Sequence, residues 1–346
     1  QMNATTRPTA PTFRHGAYLY TGHDAFLDGA LPFIQDGLAH DEPVLVATNP
    51  TKIEMLRAAL ATDSRRICFV DMLELGRNPG RFVSAWQYFL TRHAATGHRV
   101  RGIGEQIWAG RRTAELVECQ RHEVLLNTVC DRTPAGQLLC LYDVTALPPS
   151  VVEEAHRSHP YLLQGGIPHP SIHFTGADTT RLDQPLSEPT PPVHELLFHA
   201  QTLSAVRRTI ARHPTTAGLT TEQREDLALS AHELAANSLR HGGGQGLLRL
   251  WREDNTVICE IRDHGRLSDP FAGHRLPGSA HLGGRGLWPV DQLCDLVQVR
   301  TSPTGTTVRV HMHCHAPPRL DRTTPTPRAD GRHRAPTGHP SRAEHP

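Results

Sequence analysis

The 346-residue chain contains no run of about 18 apolar residues, so nothing in it reads as a membrane-spanning helix. Its first thirteen residues also lack the basic-then-apolar order of a signal peptide, and a soluble, cytoplasmic protein is expected. Net charge is nearly absent. Thirty-six Lys+Arg stand against 35 Asp+Glu, for a formal charge of +1, so no global field steers the molecule toward nucleic acid or an anionic membrane. Nor does a basic recognition helix stand out, and no direct nucleic-acid or membrane partner is expected. None of the seven cysteines falls in a CxxC spacing and several sit inside apolar runs, which reads as buried free thiols in a reducing compartment. Hydrophobic residues are sparse at 38%, while Gly and Pro number 28 each, so much of the chain must be linker or tail. Histidine alone is in surplus, at 24.

At roughly 150 residues per domain the length allows two. Proline marks the division: nine fall between Thr145 and Val193, and from Gly165 to Pro192 no period of either kind is sustained. The expected organisation is a first domain over 13–162, a Pro-rich linker over 163–192, a second domain over 193–315 and a disordered tail over 316–346. In the first domain, apolar runs at Ala17–Tyr20, Pro43–Thr48, Ile67–Met72, Val100–Gly104 and Leu138–Asp143 alternate with segments of helical spacing. This pattern predicts an α/β fold with a mostly parallel sheet and a ligand site at the carboxyl ends of its strands. The second domain runs differently. Two consecutive helices are expected over Pro192–His213 and Thr221–His241, with Thr221 as the cap of the second. A hairpin follows around Glu253-Asp254-Asn255, then a short helix Arg285–Leu293 and strands Leu296–Thr301 and Thr306–His315, giving an α+β sandwich.

Four features of the second domain carry chemistry. Glu233, Asn237 and His241 recur every four residues on one helix, so an acid and a carboxamide one turn apart can hold a water and a divalent cation. Strand Val257–Arg262 delivers Asp263 at its end, where an ionised carboxylate can accept the exocyclic amine of a purine while Gly265 admits the base. Gly283-Gly284-Arg285-Gly286 opens a helix whose free N–H groups suit an anion. Gly305-Thr306-Thr307 begins the last strand with hydroxyls available.

In this order, ELAANSLRHG, IRDHG, GGRGL and GTTVRV resemble the N, G1, G2 and G3 boxes of the GHKL ATPase superfamily over about residues 193–315. The compact form with a short lid looks like the anti-sigma-factor serine kinases. His194-Glu195 is a formal match to a histidine-kinase phosphoacceptor at a helix start, without the hairpin that should follow it. The resemblance implies that Asn237 ligates Mg²⁺ and that Glu233 is the base activating an acceptor hydroxyl. It further implies that Asp263 binds the adenine amine beside Gly265, that Gly284, Arg285 and Gly286 wrap the triphosphate of ATP, and that Thr306 or Thr307 lies near the adenine.

The first domain has its own signature in Gly104-Glu105-Gln106-Ile107-Trp108, Glu115, Glu118, the run Arg121 to Asn127, and Leu138 to Asp143. These resemble the MEDS sensory domain, related to RecA- and KaiC-type sheets. A P-loop is lacking, since Tyr20-Thr21-Gly22-His23-Asp24 stands after the first strand, and ATP hydrolysis is not expected in this half. Glu105, Trp108, Cys140, Tyr142 and Asp143 are expected to cluster at strand ends, where a small ligand binds. Cys140 is read as a buried thiol rather than as a nucleophile paired with His122.

The whole reads as a sensory domain controlling a Mg-ATP-dependent serine/threonine kinase that acts on an anti-sigma antagonist, sequesters a sigma factor, or both. Two rivals are an ATP-gated binding module without catalysis and an atypical sensor histidine kinase lacking phosphoacceptor helices. A metal-sensing role for His311, His313, Cys314 and His315 is set below a solvent-facing edge on the final strand. Whether the chain forms a homodimer is left open by its sequence.

Overall fold

The computed structural model describes residues 13–94, 99–130, 136–176, 178–269, 271–273 and 287–314. The expected tail, His315 and the glycine-rich run Gly283–Gly286 lie outside the described residues.

The N-terminal half alternates strand and helix: β1 (Arg14–Tyr20), α1 (Gly22–Ala39), β2 (Val44–Thr48), α2 (Pro50–Leu60), β3 (Ile67–Asp71), α3 (Met72–Leu75), α4 (Pro79–Ala94), β4 (Val100–Gly104), α5 (Thr113–Cys130), β5 (Gly136–Asp143) and α6 (Pro149–Ser158). Two short strands, β6 (Tyr161–Gln164) and β7 (Ile167–Pro170), complete a seven-stranded sheet of order β3-β2-β4-β5-β1-β6-β7. Every pairing is parallel except β6 with β7. β2 and β4 are buried at every residue, which is why they read as unbroken runs rather than alternating ones. Helices cover both faces. Phe82, Val83, Trp86 and Phe89 of α4 pack with Leu125 and Leu126 of α5 on one side, and Phe26, Ile34 and Leu56 of α1 and α2 fill the other. Each such side chain contributes roughly 1.5–3 kcal/mol of burial.

The C-terminal half holds β8 (His194–His199), α7 (Leu203–Arg212), α8 (Thr221–His241), β9 (Gln245–Glu253), β10 (Thr256–Asp263), α9 (Leu287–Leu293), β11 (Leu296–Ser302) and β12 (Gly305–His313). Its five strands form an antiparallel sheet of order β11-β12-β10-β9-β8. Leu248, Leu250, Val257, Cys259, Ile261, Val308 and Val310 meet Val206 and Ile210 of α7 and Leu227, Ala231 and Leu234 of α8 in one core. The architecture is thus a mostly parallel α/β domain and an antiparallel α+β domain, as the patterning predicts.

Four expectations change. His194–His199 is a strand, not the first turns of a helix. Its residues pair with Gln245–Leu250 at the sheet edge, with Phe198 buried and Leu197 exposed, an alternation of period two. The helix begins only at Leu203, so the His194-Glu195 phosphoacceptor match is not at a helix start. The cap of α8 is Thr220 rather than Thr221: its Oγ1 accepts from Gln223 N at 3.1 Å and Gln223 Oε1 accepts from Thr220 N at 3.0 Å. Part of the expected linker, within residues 163–170, is sheet, because β6 pairs with β1 and β7 folds back on it. Finally, β12 lies between β10 and β11 and is no edge.

Candidate functional site

Helix α8 and strand β10 bring the polar residues together. Leu234, Ala235 and Ser238 face the core, leaving Glu233 and Asn237 half-exposed one turn apart on the other side of α8. Arg240, in the last turn, donates from Nη2 to Asn237 Oδ1 at 3.1 Å and from Nε to Ala236 O at 3.2 Å, holding the helix end. The helix stops at Gly242, whose N–H donates to Ser238 O at 2.7 Å and whose carbonyl accepts from His264 N at 3.2 Å.

That bond seats the end of β10 against the end of α8. Asp263 Oδ2 accepts from Ser238 Oγ at 2.5 Å, and Oδ1 accepts from Gly265 N at 2.8 Å. Each oxygen keeps acceptor capacity, and the carboxylate is only half-buried, so an amine can still approach it. Glycine makes this close seating of the strand end feasible. A Cβ at Gly242 would stand 2.4 Å from Asp263 Cγ, and one at Gly305, where φ is +148°, would stand 1.9 Å from Asp263 O. Gly265 is closed in as well, with His241 O 2.5 Å from where its Cβ would lie. Thr306, opposite Asp263 on β12, donates to Gly265 O at 2.8 Å, while Thr307 stands opposite Arg262. Of the residues singled out in sequence, the structure therefore gathers Asp263, Gly265 and Thr306 in direct contact and sets Glu233 and Asn237 on the adjoining helix. Gly284, Arg285 and Gly286 lie outside the described residues, and α9 begins immediately after them.

Sequence reasoning missed Ser238, Gly242 and Gly305 as supports of Asp263. The hydroxyl one position past Asn237, on the buried face of α8, is the signal that points to the first.

In the N-terminal half, the cluster expected at the strand ends divides. Glu105 and Trp108 line a cleft of about 600 Å³ together with His23, Asn49, Thr51 and Met72, at the carboxyl ends of the strands. Glu105 is buried there and accepts from Tyr20 Oη at 2.7 Å, Thr48 Oγ1 at 2.5 Å and Nζ of Lys52, the chain's single lysine, at 2.5 Å. Burial, reinforced by the Glu105 charge, raises the Tyr20 hydroxyl well above the ordinary tyrosine range. Cys140 and Tyr142 do not reach this cleft. They alternate with Leu139 and Leu141 on β5 and point into the α4–α5 side of the core. Asp143 instead caps a turn, accepting from Thr145 N and Oγ1 at 3.1 and 2.6 Å. Elsewhere Cys119 and Cys294 are made inert by burial, both pushed up to about 12, whereas Cys68, expected to be buried, is exposed on β3.

Residues 14–160 match the family described as "MEthanogen/methylotroph, DcmR Sensory domain", MEDS, and residues 198–312 match the histidine kinase-like ATPase domain. The chain joins a MEDS domain to a histidine kinase-like ATPase domain. No curated protein matches it. Among solved structures, the RsbU and RsbW domains of a Mycobacterium tuberculosis protein are 14% identical over 37% of this chain and 34% of that one, with a TM-score of 0.28. The Acinetobacter baumannii histidine kinase AdeS is 13% identical over 36% of this chain and 70% of that one, with a TM-score of 0.23. The chain thus spans about a third of the length of the first of these, 34%. Among the described residues no helix is long and apolar enough to cross a membrane.

The MEDS domain grips the ATPase domain at two places. At the start of α4, Asn78 Nδ2 donates to Asp291 O at 2.8 Å and Arg81 Nη2 donates to Gln292 O at 2.6 Å and Cys294 O at 3.1 Å, so that MEDS residues cap the carbonyl end of α9. Arg77 pairs with Asp295 at 2.5 Å beside them. The second place is the sheet face turned away from α7 and α8. Glu118 of α5 is buried against Arg300 at 2.7 Å, and Glu115 against His313 at 3.2 Å. His311, expected in a solvent-facing row, is buried with Nε2 3.0 Å from Gln298 Oε1. Burial, then the charges of Arg309 and His313, push its imidazole down to about 3. His313 is likewise committed to Glu115 and Arg112, so the His311–His313 metal row does not form. Phe271, from the segment between Asp263 and α9, packs into the MEDS core.

Proposed function

We propose that the ATPase domain binds Mg-ATP and transfers phosphoryl groups to serine or threonine of a protein partner, under control of the MEDS domain. The observation that carries the reading is Asp263: a half-buried carboxylate, oriented by Ser238 and the Gly265 N–H, and packed so closely that a Cβ at Gly242 or Gly305 would collide with the residue. Such a carboxylate accepts the amine of adenine. Thr306 supports the same wall of the site. Asn237 Oδ1 would hold the Mg²⁺, with Gly284, Arg285 and Gly286 against the phosphates at the start of α9. The bound cation supplies charge stabilisation to the phosphoryl oxygens. Glu233, one turn from Asn237, accepts the proton of the incoming hydroxyl.

The compact set of boxes with a short lid favours an anti-sigma antagonist as the phosphoryl acceptor, a sigma factor as the sequestered partner, or both. The MEDS cleft around Glu105 and Lys52 is the place for a small signal molecule. Because Asn78 and Arg81 hold one end of α9 while phosphate would sit at the other, movement in the MEDS domain is transmitted to the nucleotide.

Incubating the full chain with γ-labelled ATP, Mg²⁺ and candidate antagonists tests this reading. Label on an antagonist serine or threonine, lost in Glu233→Gln with nucleotide binding retained, is the expected outcome. Transfer undiminished in Glu233→Gln overturns the base assignment. A second reading, an ATP-gated binding module, has its own observation in the Arg240–Asn237 bond, which occupies the amide oxygen a cation needs. Nucleotide binding without any transfer, together with ATP-dependent partner capture, selects it.

A further inference from the structure

A separate cluster lies in the core of the MEDS domain, away from the Glu105 cleft. His15 of β1, Glu123 of α5, Cys140 of β5 and His159, just past α6, each present one donor atom, and the four lie within 4.8 Å of one another. All four side chains are buried. His15 Nε2 is 3.3 Å from Cys140 Sγ and 3.4 Å from Glu123 Oε2; Glu123 Oε2 is 3.1 Å from Cys140 Sγ and 3.3 Å from His159 Nε2. A tetrahedral zinc with nitrogen and oxygen at about 2.0–2.1 Å and sulfur at about 2.3 Å requires donor separations of about 3.3–3.6 Å.

The surrounding bonds fix which atoms face inward. Asn127 Nδ2 donates to the carbonyls of Glu123, Val124 and Ser158, so its Oδ1 accepts, at 2.9 Å, the proton on His15 Nδ1. His159 Nδ1 donates to Ala155 O at 2.9 Å. Both imidazoles therefore turn Nε2 toward Glu123, His15 Nε2 lying 3.4 Å and His159 Nε2 3.3 Å from its carboxylate. Gln106 Nε2 holds the other carboxylate oxygen at 2.9 Å, leaving Oε2 for the centre. Two imidazole nitrogens, a carboxylate oxygen and a thiol thus converge on one buried point. Outer hydrogen bonds of this kind are what orient histidine and carboxylate ligands in metal sites.

We propose that His15, Glu123, Cys140 and His159 form a closed, four-coordinate site for a borderline-soft divalent cation, Zn²⁺ by its donor set. On binding, the Cys140 thiol releases its proton to solvent. Thiolate and carboxylate then balance the two positive charges, so the loaded site is neutral in its dry surroundings. With no coordination position left for water, the cation ties β1, β5, α5 and the end of α6 together rather than catalysing.

The test uses the purified full chain stripped with chelator and titrated with Co²⁺. One equivalent is expected to give a thiolate-to-cobalt charge-transfer band and the intense visible bands of tetrahedral Co²⁺, both displaced by Zn²⁺. Cys140→Ser should abolish the charge-transfer band and weaken binding by more than about 100-fold, and His159→Gln should weaken it comparably. His313→Gln should change neither. Absence of these bands in folded wild-type protein at one equivalent, or their persistence in Cys140→Ser, overturns the site. The wild-type titration decides even where a variant fails to fold.

Discussion

At the scale of single residues, Asp263 bears the most consequence. Asp263→Asn keeps an acceptor for Gly265 N and turns an amide N–H toward Ser238 Oγ, whose hydroxyl can accept it, but removes the charge that favours an amine, and a charge-assisted bond is worth about 1.5–3 kcal/mol. ATP affinity should fall about 10- to 100-fold with little change in Tm, as isothermal titration of the variant would measure. Gly305→Ala should act differently. Its φ of +148° and the nearby Asp263 carbonyl make any side chain strained, so stability is expected to drop by about 1–3 kcal/mol in denaturant titration, with binding lost too. His311 gives a pH signature. Held neutral to about 3 when folded and titrating near 6.5 when unfolded, it lets the unfolded state bind more protons between those values. Stability is therefore complete above about pH 6.5 and falls toward pH 3, by up to about 1.4 kcal/mol per unit from this group. In His311→Gln that component of the slope should vanish, as seen by comparing urea midpoints of the two proteins across the window. Asp263 was legible in sequence because it ends a strand beside glycine. Ser238 and His311 were not, since their importance arises from what packs against them.

At the scale of elements, legibility followed the source of stability. Strands buried on both faces, such as Val44–Thr48 and Val100–Gly104, announce themselves as continuous apolar runs, and α8 by its periodicity. His194–His199 misleads because four apolar and polar residues between two histidines suit a helix turn as well as an edge strand, and only pairing with β9 decides. β12 misleads for a related reason. Its polar residues Arg309 and His311 look solvent-facing, but α5 and residues 184–188 cover that face, with Glu118 on Arg300, Gln184 O on Arg300 and Ser187 O on Arg309. The joint between α4 and α9 yields a prediction at this scale. Arg81→Ala removes the donors that cap the end of α9, while Arg81 belongs to neither the nucleotide site nor the cleft. Each domain should keep its own fold by circular dichroism, while nucleotide affinity shifts severalfold. An affinity identical to wild type would mean that α9 is not the link between the domains.

For the whole molecule, the near-neutral charge fits the proposed protein partner better than a polyanion. Six of its 24 histidines have places in this account: His15 and His159 stand in the buried MEDS cluster, His311 and His313 in the joint between domains, and His241 and His264 beside Asp263. The two domains share a face closed by buried ion pairs, and breaking such a pair one-sidedly costs about 3–5 kcal/mol, so they are expected to respond as a unit. The account rests on the ATPase domain holding Mg-ATP at Asp263, and isothermal titration of Mg-ATP into the full chain and its Asp263→Asn variant tests that most directly. Saturable binding of one nucleotide per chain, weakened at least about tenfold in the variant, is the predicted result. No binding by the wild type, or equal affinity in both proteins, would contradict it.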